Sequence, residues 1–278
     1  MSQNNQVSSI DIFSPSINYI ENFIKGNPPP NLTSQSALVY DLTTQKVLYE
    51  KNPREKLPIA SLTKVMTAII GMENQKPDNK YFVTSSDMVG EDAMGLSSGE
   101  TLSLEELLYG VFLHSGNDAA EAIATNYIYG RGAFIKAMNE KAASYGLTDT
   151  NFTNPTGLEG DGLQYSTAYD LLVISEHLLQ FPKALPIMST FDYTIPASSS
   201  HPEFDLENET NLISSYPGVE GIKDGYTPEA GLCLMTYLNW DGHKIIAVIL
   251  GSDDRRQEMK DLLDYSLREE GITPPNHS

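Results

Sequence analysis

Apolar residues recur along this chain with changing rhythm, and each rhythm predicts a kind of element. From Ser14 and Pro15, read as cap and first helical position, Ile17, Ile20 and Ile24 follow at helical spacing, with Gly26 as the stop. Pro28, Pro29 and Pro30 then break the chain, so residues 1–30 read as an N-terminal arm with one short helix. Alternation over 37–42 and 46–49 predicts two strands of a hairpin joined at 43–45. The pattern turns helical over 60–72. Ser103 with Glu106 forms a capping box ahead of Leu107, Leu108, Val111 and Phe112. Further helices are predicted over 119–129, over 133–145 with Gly146 as the stop, and over 167–179 behind a Ser166 cap.

Beyond Ile195 the period of two returns. Residues 218–226 form one candidate strand, and 232–238 with 244–250 form a hairpin whose turn holds Asp241-Gly242. A last amphipathic helix over 258–268 turns Met259, Leu262, Leu263 and Ser266 inward and ends at Gly271. Strands, then helices, then strands and a helix predict an α+β fold. Its expected form is an antiparallel β-sheet flanked by helices, with a helical subdomain of about residues 66–170 inserted into a domain spanning 31–278.

Composition narrows the functional classes. A 40% hydrophobic fraction over 278 residues supplies a real core and excludes a wholly disordered chain. Lys and Arg total 18 against 37 Asp and Glu, a formal charge of -19, which disfavours nucleic acid and docking on anionic lipid. The apolar run 245–250 is far shorter than the ~18 residues a membrane span needs. Cys233 is the only cysteine, so no intrachain disulfide forms, and its setting between Leu232 and Leu234 reads as core. His114, His177, His201, His243 and His277 show no zinc-ligand spacing, so no metal site is expected.

Three short motifs could carry chemistry. In Ser61-Leu62-Thr63-Lys64, positions three apart share a helix face, so the Lys64 amine can reach the Ser61 hydroxyl and act as its base. Ser61 would serve equally as a helix cap. Ser115-Gly116-Asn117 lies between two predicted helices, suited to capping or to proton relay and amide binding. Lys223-Asp224-Gly225 lies on a strand, where glycine admits close approach of another backbone.

In this order the three motifs resemble the signature of penicillin-binding proteins and serine β-lactamases. The stretches 59–68, 114–120, 154–158 (Asn-Pro-Thr-Gly-Leu), 166–171 and 216–223, followed by Gly225-Tyr226-Thr227, resemble the D-alanyl-D-alanine carboxypeptidases over about residues 31–270. That resemblance implies a DD-peptidase fold and an acyl-enzyme on Ser61 with Lys64 as base. Ser115 would help deliver the proton, Asn117 would line the opposite wall, and Lys223 would add positive potential. Gly225, Tyr226 and Thr227 would border the substrate, with backbone N–H groups of Ser61 and Tyr226 as oxyanion hole. Arg255 or Arg256 would steady a terminal carboxylate. The implied partners are the peptidoglycan stem peptide and β-lactam antibiotics, with no metal or organic cofactor. The implied location is extracytoplasmic, although residues 1–7 lack the pattern of a signal peptide. An acidic body would make Lys64, Lys223 and Arg255 or Arg256 a focused cationic patch for an anionic substrate.

Two residues depart from the family pattern. Gln164 stands where relatives often carry His. Asp224 stands where they carry Thr, placing an acceptor where the hydroxyl would donate to a carboxylate. Asp224 could form a salt bridge that silences the site, could be protonated and donate, or could match a substrate lacking the carboxylate. The chain also ends without the small β-domain and amphipathic anchor of many relatives, which fits a free catalytic domain and a truncated chain equally well. Two rival readings remain: a binding module without turnover, and a β-lactamase-like hydrolase with Glu159 as the candidate water activator.

Overall fold

The computed structural model describes residues 26–90, 92–210 and 212–277; the helix expected from Ser14 onward lies outside them. In chain order, β1 (Ser36–Asp41) and β2 (Lys46–Lys51) form the first hairpin. A 3-10 turn (Ala60–Thr63) leads into α1 (Lys64–Glu73), then the short pair β3 (Tyr81–Phe82) and β4 (Thr101–Leu102). Helices α2 (Leu104–Leu113), α3 (Asn117–Thr125) and α4 (Gly130–Ser144) follow, then α5 (Ala168–Leu178) and α6 (Ala184–Met188). A ribbon of β5 (Asp192–Ile195) and β6 (Phe204–Glu207) and the short α7 (Leu212–Ser215) precede β7 (Val219–Thr227), β8 (Gly231–Trp240), β9 (His243–Ser252) and α8 (Arg255–Glu269).

The main sheet has the order β2-β1-β9-β8-β7 with every pair antiparallel. Chain-distant strands meet at its centre, β1 pairing β9 from Ser36↔Leu250 to Asp41↔Ile245. Alternation then divides the strands between two cores. Leu38, Tyr40, Met235, Ile246 and Val248 pack toward the helical layer, whereas Val39, Leu234, Ile245, Ala247 and Ile249 pack against Met259, Leu262 and Leu263 of α8. Burial on both faces accounts for the unbroken apolar run in β9.

Local chemistry explains most boundaries. Ser103 Oγ accepts the Glu106 N–H and Glu106 accepts the Ser103 N–H in return, the box expected for α2. Asp241 and Gly242 join β8 to β9 with φ of +48° and +83°, the positive-φ pair that tight hairpins favour. Other expectations need correction. The cap of α5 is Thr167, whose Oγ1 accepts the Asp170 N–H; Ser166 instead bridges to Leu57 and Thr150. The helix expected over 60–72 is a 3-10 turn followed by α1, and α8 begins at Arg255 rather than at 258. The strand expected from Gly218 runs over Val219–Thr227. β7 closes one side of the sheet and packs against the 3-10 turn, so the third candidate motif, on the strand with Lys223, faces the first.

Candidate active site

Ser61 sits in the 3-10 turn and Lys64 opens α1, which brings Lys64 Nζ to 2.7 Å from Ser61 Oγ. The Lys64 side chain is buried, and Nζ also donates to the Thr156 carbonyl at 2.8 Å. Burial first, then the nearby Lys223 ammonium, push Lys64 well below the ordinary lysine range. Asp92, Asp224 and Glu209 act more weakly in the other direction. A lysine so placed can be neutral and accept a proton from the serine hydroxyl.

The turn is braced from behind by residues 154–158. Asn154 Oδ1 accepts the Thr156 and Gly157 N–H groups, its Nδ2 donates to Leu158 O, and Thr67 Oγ1 holds Pro155 O at 2.6 Å. Contact is so close that a Cβ on Gly157 (φ +92°) would lie 1.9 Å from Ala60 O, and one on Gly225 would lie 2.8 Å from Ser61 N. Ala60 itself is held at φ +46° between them. Gln164 completes the brace: Nε2 donates to Thr63 Oγ1 at 2.8 Å while Oε1 accepts the Thr153 and Asn154 N–H groups.

Ser115 and Asn117 lie buried at the α2–α3 junction, Ser115 at φ +52°. Asn117 N donates to Asp92 O at 2.8 Å, and Asn117 Oδ1 is buried without a hydrogen-bond partner among the described residues. Such an acceptor costs about 1–3 kcal/mol until a donor such as a substrate amide reaches it. Next to it, Asp118 fixes the preceding loop by accepting N–H bonds from Met94, Gly95 and Leu96 at 2.9–3.0 Å.

Lys223 and Asp224 leave opposite faces of β7, being paired with Met235 and Leu234 respectively. Lys223 Nζ nevertheless lies 2.8 Å from Asp224 Oδ1, and Arg255 Nη2 pairs with Oδ2 while its Nη1 donates to Gly225 O at 2.7 Å. Burial pushes the Asp224 carboxyl up, but Lys223 and Arg255 outweigh it and hold it at about 2. Asp224 is therefore ionised and salt-bridged, and the protonated donor open from sequence is overturned. The focused cationic patch needs the same correction: Lys64 is pushed toward neutrality, and Lys223 and Arg255 already face a carboxylate. Between the two arginines, Arg255 reaches Asp224, and Arg256 stays exposed on the rim of the same cleft of about 170 Å³, with Glu209. Tyr226 is exposed, and Thr227 borders a hollow of about 360 Å³ with Ala60, Gly157 and Gln164.

Thr156, Asn154, Asp118 and Glu209 were not among the sequence candidates; the run 154–158 carried a signal for the first two and the run 114–120 for Asp118, and Glu209 had none. Cys233 is buried core, its thiol pushed up to about 11 by that burial. Asp41, His243 and Glu270 bring ligand atoms within 4.8 Å of one another, an arrangement without a sequence signal. Those groups are already engaged: Asp41 pairs with His243, and Glu270 with Lys46 at 3.2 Å.

An antiparallel sheet, a serine and lysine three apart at the foot of a central helix, and a lysine on the facing edge strand define the class of penicillin-binding serine peptidases. The Streptomyces K15 DD-transpeptidase shares this fold with a TM-score of 0.81 and 27% identity, covering 86% of this chain and 99% of that one. A penicillin-binding protein homolog from Mycobacterium tuberculosis matches with a TM-score of 0.81 at 26% identity, over 90% of this chain and 97% of its own. Residues 24–254 match the D-alanyl-D-alanine carboxypeptidase family, Peptidase_S11, and the chain belongs to it. It is 35% identical over 245 residues to the D-alanyl-D-alanine carboxypeptidase DacF of Bacillus subtilis, covering 84% of this chain and 62% of that protein. Over 213 residues it is 35% identical to a D-alanyl-D-alanine endopeptidase of Escherichia coli, covering 74% of this chain and 67% of that protein. The chain thus spans about three-fifths of the length of DacF.

Proposed function

We propose that this chain is a serine DD-peptidase that acts on peptidoglycan stem peptides through an acyl-enzyme on Ser61, cleaving the amide bond after the penultimate D-Ala, the bond whose cleavage in the family reaction releases a terminal D-alanine. The observation carrying this reading is a buried lysine, pushed well below its ordinary range, 2.7 Å from a serine hydroxyl. Lys64 Nζ takes the Ser61 proton as Oγ attacks the carbonyl of the penultimate D-Ala. General-base assistance of this kind contributes about 10²–10⁴-fold. The Ser61 and Tyr226 N–H groups hold the oxyanion, each donor worth about 10²–10³. As the C–N bond breaks, Lys64 returns the proton to the leaving amine with the help of Ser115; water then releases the acyl group. Asn117 Oδ1 accepts a substrate amide N–H, and Lys223 keeps Lys64 from holding its proton. A β-lactam acylates the same serine. Substrates of this kind place the enzyme outside the cytoplasm, and no helix among the described residues is long and apolar enough to cross a membrane. Against the β-lactamase reading, Glu159 is exposed and accepts the Glu229 N–H.

Hydrolysis of diacetyl-L-Lys-D-Ala methyl ester tests this chemistry without charge at the leaving end. Ser61→Ala and Lys64→Ala are expected to lower its rate by about 10³-fold or more. Undiminished hydrolysis in Ser61→Ala would refute the assignment.

A further inference from the structure

The leaving-group end of the site carries unusual electrostatics. Two buried or half-buried cations, Lys223 and Arg255, are both committed to Asp224. Glu209 stands in the same cleft, and Glu209 and Asp92 both act electrostatically on Lys64. Two carboxylates, Asp224 and Glu209, thus line the cleft with Arg255, and Arg256 remains only as an exposed group on its rim.

We propose that this site selects stem peptides with no free carboxylate beyond the scissile bond: an amidated or amide-linked residue, as in a cross-link, in place of a free terminal D-alanine. This deepens, and rests on, the reading of Ser61 as nucleophile. To use Arg255, an incoming carboxylate must displace Asp224 from its guanidinium or lie beside that ionised oxygen. Either arrangement is repulsive in a buried setting. A terminal amide meets the opposite situation, because its N–H groups donate to the carboxylates that repel an anion. Asp224 thus reverses the polarity that a hydroxyl would offer at this position, turning a donor into a charged acceptor. The reaction itself is unchanged. The Ser61 Oγ–carbonyl bond forms, the C–N bond breaks, and the serine proton passes through Lys64 to the leaving nitrogen. A water molecule then supplies hydroxyl to the acyl carbon and a proton to Ser61.

The experiment compares kcat/KM for diacetyl-L-Lys-D-Ala-D-Ala with that for the same peptide ending in D-alaninamide, and includes the diacetyl-L-Lys-D-Ala methyl ester. The native chain is expected to favour the amide about tenfold or more. Asp224→Thr is expected to shift the acid-to-amide ratio about a hundredfold toward the acid; like charges ~4 Å apart at an effective dielectric near 20 give about a thousandfold before salt screening. Asp224→Asn, nearly isosteric, is expected to shift the ratio in the same direction and serves where the threonine variant does not fold. A native preference for the acid, or a ratio that stays within threefold in both variants, overturns the proposal. If Ser61-dependent ester hydrolysis persists in that case, only the selectivity is lost. If the ester is not hydrolysed at all, the peptidase reading falls with it.

Discussion

Substituting Gly157 by Ala probes the brace behind the nucleophile. The new Cβ would lie 1.9 Å from Ala60 O, 2.4 Å from Ala60 C and 2.9 Å from Ser61 N. Ordinary contact requires a retreat of about 1.5 Å by one backbone or the other. The φ of +92° adds about 1–2 kcal/mol for a residue with a side chain. Together with the overlap, the loss of folding stability is expected to be about 3–4 kcal/mol. The neighbouring Thr156 carbonyl holds Lys64 Nζ at 2.8 Å, so the retreat also moves the base relative to Ser61. A misplacement of about an ångström costs about 100-fold in rate. Gly160→Ala supplies the comparison: φ is +110° but nothing lies within 4 Å of its Cβ, so only backbone strain of about 1–2 kcal/mol is expected. Urea unfolding and single-turnover acylation by benzylpenicillin measure the two effects. Equal losses of stability and acylation rate in the two variants would contradict a steric brace at Gly157.

Other expectations follow from the same contacts. Asp118→Ala leaves three N–H groups of the 94–96 loop without their carboxylate and is expected to cost about 3 kcal/mol by urea unfolding; a loss below about 1 kcal/mol contradicts the loop's dependence on it. Removing the like charge in Lys223→Ala raises the Lys64 pKa, so the rising limb of the acylation–pH profile is expected to move to higher pH. An unmoved limb contradicts the coupling. Asp224, at about 2 when folded against 3.8 otherwise, contributes about 2 kcal/mol that is present above pH ~4 and lost as pH falls toward 2. Unfolding curves across that window are expected to show a smaller acid-dependent loss in Asp224→Asn than in the native chain, the remainder coming from carboxylates such as Asp41 and Glu258 that are also held below the usual range.

The elements with strong periodicity were legible from sequence: the 37–49 hairpin, the capped α2 and the Asp241-Gly242 turn all lie where the pattern places them. Residue spacing also sufficed for Ser61 and Lys64, because three positions along a tight helical turn bring the two side chains together. Less was legible around them. Ala60 departs from helical geometry because Gly157 and Gly225, both far along the chain, press against it. Likewise, the partner of Asp224 depends on the β7–β8–β9 register and the start of α8, so the choice between Arg255 and Arg256 could not be made from sequence. Lys64 lowered by burial is a property of packing, not of composition. Glu209 had no local signal, since its role comes from where the turn before α7 lies against the cleft.

The central claim is that Ser61, with Lys64 as base, forms a covalent acyl-enzyme. Intact-mass measurement after prolonged incubation with benzylpenicillin, followed by peptide mapping, tests it most directly. A single penicilloyl group on the peptide containing Ser61, absent from Ser61→Ala and slow to form in Lys64→Ala, is the expected result. An adduct on another residue, or none in the native chain, would contradict it.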